Sequence, residues 1–116
     1  SSLAWQLIGL GAGLVSDDRT RLWRERDKLL ADAPDTIRGM IEARGIGILK
    51  ASAVGPTPVS LMIDLDQEET DRLPPSRTAT LLGYTVPVLY HVPYPHLPMA
   101  VLQVLEKGWA TGHDAN

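Results

Sequence analysis

Ten glycines and nine prolines among 116 residues cut this chain into short pieces, and that punctuation constrains its fold more than any other feature. Residues 3–10 are apolar at helical spacing until Gly11 and Gly13 stop them, with Ser1 and Ser2 available as caps. Leu14-Val15-Ser16 reads as a buried strand ending in two carboxylates, Asp17 and Asp18. Thr20, Leu22 and Arg24 alternate with Arg21, Trp23 and Glu25, and with Lys28-Leu29-Leu30 beyond a polar turn they predict a hairpin. Pro34 and Asp35 open a helical turn expected to run through Met40 and Ile41, with Asp35 as N-cap. Gly45 to Leu49 reads as a strand reached through glycines.

Val59–Asp66 is expected as a strand, and Gln67–Arg72 as a charged loop that Pro74-Pro75 extends. Further strand character lies at Ala79–Leu82 and Val86–Val92. Pro93–Pro98 excludes a regular interior strand. Met99–Lys107 returns to helical spacing, Gly108 suits the residue after a helix, and the rest reads as a frayed tail. Strands in the middle and helices at the two ends predict an α/β or α+β sheet with helical cover. The expected organisation is one domain over residues 1–109 and a tail over 110–116.

A chain of this length suffices for a single core, and 44% hydrophobic with 22% charged residues is an ordinary globular balance. The formal charge of −3 argues against a general nucleic-acid footprint. Arg19, Arg21, Arg24, Arg26 and Lys28 do cluster, which reads first as a solvated strand or turn. No apolar stretch approaches the ~18 residues of a membrane span, and no signal peptide is visible at the start. The chain has no cysteine, so disulfides and thiolate metal sites are unavailable and a cytoplasmic setting is expected. His91, His96 and His113 do not make a zinc set. Trp5, Trp23 and Trp109 read as core or interface residues.

Three groups of residues have chemical potential. A nucleotide phosphate site needs a glycine-lysine loop, a Ser or Thr hydroxyl opening a helix, and a carboxylate at the end of a neighbouring strand. Ser1 opens a helix here, and the Leu14–Ser16 run ends in Asp17-Asp18, although that pair also suits the start of a turn. The second group is Glu42-Ala43-Arg44-Gly45-Ile46-Gly47-Ile48, where glycines allow close backbone approach between charged residues. It reads equally as the start of a strand with a bulge. In the third, Gln67-Glu68-Glu69-Thr70-Asp71-Arg72, the arginine follows three carboxylates, and a surface loop with weak local ion pairs accounts for it as well.

Ser1-Ser2-Leu3-Ala4, Leu14 through Thr20, and Ile41 through Ile48, in this order and at this spacing, closely resemble the HPr kinase/phosphorylase family. Asp71-Arg72-Leu73 and Tyr84-Thr85-Val86-Pro87, followed by a final helix, extend the likeness to about residue 108. The compact form looks like the short, alphaproteobacterial-type members. The resemblance implies a P-loop kinase-like mixed sheet covered by helices, with a core like that of phosphoenolpyruvate carboxykinase. It also implies an ATP- and Mg²⁺-dependent kinase that phosphorylates a serine of the HPr phosphocarrier in the cytoplasm, as a homo-oligomer and by family habit a hexamer. By the same resemblance Ser1 is the hydroxyl that ligates Mg²⁺, and Ser1 with Ser2 binds the nucleotide phosphates. Asp18 is the proton acceptor for the substrate serine, and the proton donor in the reverse direction. Glu42 is a second Mg²⁺ ligand, Asp17 stands beside Asp18 to help hold the metal, and Arg72 is a catalytic arginine.

Two departures from the family pattern stand out. The family's P-loop glycines and lysine, and a functional histidine upstream of them, are not in this sequence, so residues before Ser1 are the expectation. Where longer members carry an Arg-Pro-Gly-Arg-Asn-like run tied to dephosphorylation, this chain has His96-Leu97-Pro98, which tells against the phosphorylase direction. The competing expectation is a non-catalytic regulatory or oligomerising module that keeps the kinase fold.

Overall fold

A computed structural model describes residues 2–111. The chain divides into two compact units, Ser1–Val59 and Ser60–Asn116. Among the described residues, eight strands and two helices make an α/β fold, in keeping with the sequence.

The first unit opens with helix α1 (Ser2–Gly9), whose residues Leu3, Ala4, Trp5, Leu7 and Ile8 are half-buried while Gln6 is exposed. Gly11 closes it in the left-handed region, at φ 104°, with its N–H donating to the carbonyl of Ile8. The strand expected at 14–16 contracts to a single parallel bridge between Leu14 and Ala53. The chain then turns away, and the Ser16 hydroxyl donates to the carbonyl of Arg19.

Strands β1 (Arg21–Glu25) and β2 (Lys28–Asp32) form the expected hairpin, with Trp23 opposite Leu30. Alternation puts Leu29 and Ala31 into the core, where Leu14, Ala33 and Ile41 are also buried. A two-residue strand, β5 (Thr57–Pro58), pairs with the far side of β2. Proline is tolerated there because an edge strand needs fewer donors. The five clustered basic residues are all exposed, and Arg21 lies 5.6 Å from the centre of the Trp23 ring.

Asp32 at the end of β2 is buried, at 7% exposure. The guanidinium of Arg38 meets both its oxygens, at 2.6 and 3.3 Å, and also donates to the Ala33 carbonyl at 2.9 Å. The Arg38 hydrogen bond holds the Asp32 carboxyl below its usual range, overcoming the opposing effect of burial. A carboxyl depressed by folding adds stability that is complete above the unfolded value, about 3.9, and is lost as pH falls below it. Urea unfolding between pH 5 and 3 is therefore expected to show a steeper loss for wild type than for Arg38→Gln. Parallel declines would show that Arg38 is not the cause.

The helical start at Pro34-Asp35 is shorter than expected. A 3₁₀ turn spans only Asp35–Ile37, with Pro34 rather than Asp35 at its N-cap, and the Asp35 carboxylate meets Arg38 at 3.1 Å. Met40 and Ile41 belong to strand β3 (Met40–Ala43), which pairs in a hairpin with β4 (Gly47–Lys50). The ladder from Met40↔Lys50 to Ala43↔Gly47 supplies partners that a short helix would lack.

In the second unit, β6 (Met62–Glu68) runs parallel to β8 (Tyr84–His91), which pairs antiparallel with β7 (Thr78–Leu81), giving the order β6-β8-β7. The strand expected at 59–66 starts later because the N–H of Val59 donates to Leu29 in the other sheet. It also ends later, through an irregularity after Asp64 that re-pairs Glu68 with His91. Leu82 and Gly83, both at positive φ, make the tight β7–β8 turn. Helix α2 (Leu97–Lys107) begins with Pro98 in its first turn, and Gly108, at φ 80°, donates to the Val104 carbonyl at 2.9 Å. Val86, Val88, Leu97, Pro98 and Val101 are buried in this unit. No helix among the described residues is long and apolar enough to cross a membrane.

Candidate functional site

The first unit carries a cleft of about 380 Å³ lined by Asp17, Asp18, Glu42 and Arg44, with apolar walls that include Met40 and Ile48. Its floor follows from strand periodicity: Ile41 points into the core, so Met40 and Glu42 face the cleft. Glu42 lies opposite Ile48 in the ladder. Its main-chain groups point away from β4, the N–H donating to Asp17 Oδ2 at 2.9 Å and the carbonyl accepting from Trp5 Nε1 at 2.9 Å. Asp17 thus fastens the turn that carries Asp18 to the strand that carries Glu42, and Trp5 fastens α1 to the same residue. The three carboxylates predicted from the sequence share one cleft.

Arg44 sits in the β3–β4 turn, where Gly45 has φ 86°. That turn explains the glycine-rich pattern: left-handed backbone turns the chain so that Arg44 joins the cleft. Ser2 is the first residue of α1, and its hydroxyl accepts from Gln6 Nε2 at 3.4 Å. Ser1 and His113 lie outside the described residues.

Oxygen donors from Asp17, Asp18 and Glu42 suit Mg²⁺, which takes one or two carboxylates and completes its shell with phosphate oxygens and water. Among the described residues no three acidic or histidine side chains already converge on a point, and a metal held jointly with a nucleotide does not need them to.

Arg72 belongs to the second unit, where it lines a cleft of about 550 Å³ together with Glu69, Asp71, Tyr94 and His96. The Tyr94 and His96 rings stack at 5.6 Å. The loop before Arg72 is not the weakly paired surface loop that its composition suggests. The Glu69 side chain is 7% exposed and is gripped by Arg77 through two hydrogen bonds, Nε to Oε1 at 3.1 Å and a terminal nitrogen to Oε2 at 2.9 Å. The guanidinium holds the Glu69 carboxyl below the ordinary range. Sequence reading missed Glu69 as a buried group because Arg77 lies eight positions on, beyond Pro74-Pro75, where no periodicity links them.

No family model matches the chain, but single relatives do. The HPr kinase/phosphorylase of Chromobacterium violaceum is 36% identical over 101 residues, covering 74% of this chain and 32% of the relative. That of Caldanaerobacter subterraneus is 42% identical over 69 residues, or 56% of this chain and 23% of the relative. Among solved structures, the HPr(Ser) kinase/phosphatase from Coxiella burnetii matches with a TM-score of 0.75 at 28% identity, over 90% of this chain and 72% of that one. The chain therefore spans about a third or less of the length of these curated relatives.

The fold is of the P-loop kinase-like class. Within that class, the chain is a relative of the HPr kinase/phosphorylases.

Proposed function

We propose that this chain is the core of an ATP- and Mg²⁺-dependent protein serine kinase acting on the HPr phosphocarrier. The observation that carries the reading is the cleft in which Asp18 and Glu42 stand together, in a chain related to HPr kinase/phosphorylases. In this reading Asp18 accepts the proton from the serine Oγ as that oxygen attacks the terminal phosphoryl group. Glu42, Asp17 and Ser1 would hold Mg²⁺, and Ser1 and Ser2 would meet the nucleotide phosphates. Bound Mg²⁺ would supply charge neutralisation at those phosphates. Arg72 stabilises charge on the group in transfer. Because Asp17 already accepts the Glu42 N–H, its first task is to align the two carboxylates beside it.

The forward reaction is the one proposed. The segment 92–98 has no arginine, and its Leu97 and Pro98 are buried at the start of α2, so it offers little for handling free phosphate. Cytoplasmic location and assembly into a homo-oligomer follow the same family reading.

Titration with Mg-ATP tests the proposal against a non-catalytic module: a saturable affinity is expected, and its absence in a chain with its phosphate-binding loop would exclude a kinase. Glu42→Ala is expected to raise the Mg²⁺ concentration for half-maximal activity by about tenfold or more. Superimposable metal titrations would remove Glu42 from the ligand set.

A further inference from the structure

The Glu69–Arg77 pair takes no direct part in the proposed chemistry, yet it is held from several sides. Oε2 of Glu69 accepts not only from Arg77 but also from the successive backbone N–H groups of Thr70 and Asp71, each at 3.1 Å. Its own N–H donates to the carbonyl of His91 at 2.8 Å, anchoring it to the end of β8. Arg77 in turn lies 4.4 Å from the centre of the Tyr90 ring, on the same strand. Two-point contact between guanidinium and carboxylate fixes orientation as well as distance. The next residue in the chain after these anchored amides is Arg72.

An arginine that stabilises charge in transfer must have its backbone fixed, because its long side chain already has many rotamers to lose. Loops are the least suited part of a fold to provide that. One buried carboxylate that caps two consecutive amides, held by a cation that is itself stacked on a strand residue, gives this loop a rigid base. We propose that Glu69 is a positioning residue for Arg72, acting through the 70–71 backbone and locked by Arg77. The inference rests on the role proposed for Arg72, and its test separates the two.

The experiment is a double-mutant cycle in protein that carries its phosphate-binding loop, with HPr as acceptor and kcat and KM for Mg-ATP measured separately. Glu69→Gln is expected to lower kcat by about tenfold or more while leaving KM for Mg-ATP within about twofold. In an Arg72→Ala background the same substitution is expected to cost almost nothing further. Hydrogen exchange gives a readout apart from turnover: the amides of Thr70 and Asp71 should exchange faster in Glu69→Gln, with those of Val86 and Val88 unchanged. If Glu69→Gln does not fold, Arg77→Lys keeps the charge and loses the fork, and carries the same expectations. Wild-type kcat in Glu69→Gln alongside a slow Arg72→Ala would overturn the positioning role and leave Arg72 catalytic. Equal fold-losses in both backgrounds would also overturn it, by making the effect independent of Arg72. Wild-type kcat in Arg72→Ala would remove the role of Arg72, and the positioning role with it.

Discussion

Asp18→Asn is expected to lower the rate of phosphoryl transfer by about 100-fold or more, the loss typical when a positioned general base is removed. Asparagine keeps the size and shape of the side chain but cannot take the serine proton. The turn should survive, because its tie to β3 is made by Asp17 and not by Asp18. Nucleotide affinity is accordingly expected to change little while kcat collapses. Asp17→Asn would behave differently: its amide oxygen can still accept the Glu42 N–H, so part of the alignment remains. Turnover of Asp18→Asn at the wild-type rate would sink the base assignment.

Ile41→Ala is expected to destabilise the fold by about 2–5 kcal/mol, as for other large-to-small changes in a sealed core. Ile41 is fully buried, at 0% exposure, and sits directly before Glu42 on β3. The two side chains leave the strand on opposite faces, so the packing of Ile41 fixes the height of Glu42 in the cleft. Ile48 is the natural control: it is 71% exposed on the neighbouring strand, and Ile48→Ala should fall within about 0.5 kcal/mol of wild type. Urea unfolding of both variants checks the contrast. Equal losses would show that the β3–β4 hairpin is not anchored through Ile41.

Local pattern made part of this fold legible. The β1–β2 hairpin, the β7–β8 pair and α2 with its Gly108 all rest on interactions within a few residues, and alternation or helical spacing reports those directly. Where long-range pairing decides, local pattern falls short. Pro34-Asp35 does begin a helical turn, but pairing of Met40 and Ile41 with Lys50 and Leu49 ends it after three residues. Val59 was drawn to Leu29, and the polar residues Gln67 and Glu68 were drawn into β6 by the pairing of Glu68 with His91.

The candidate site divides in the same way. Asp17, Asp18 and Glu42 stood out through resemblance, since no spacing rule links positions 18 and 42. Their meeting depends on the Asp17 contact to the Glu42 amide. Asp32–Arg38 and Glu69–Arg77 were invisible because ion pairing across a turn leaves no periodic trace.

The most direct test of the kinase reading is incubation of HPr with the wild-type protein, carrying its phosphate-binding loop, in Mg-ATP labelled on the terminal phosphate, followed by mapping of the label. Label on a single HPr serine, dependent on Mg²⁺ and lost with Asp18→Asn, is the expected result. Unlabelled HPr from a protein that nonetheless binds Mg-ATP would contradict it and leave a folded module that does not transfer phosphate.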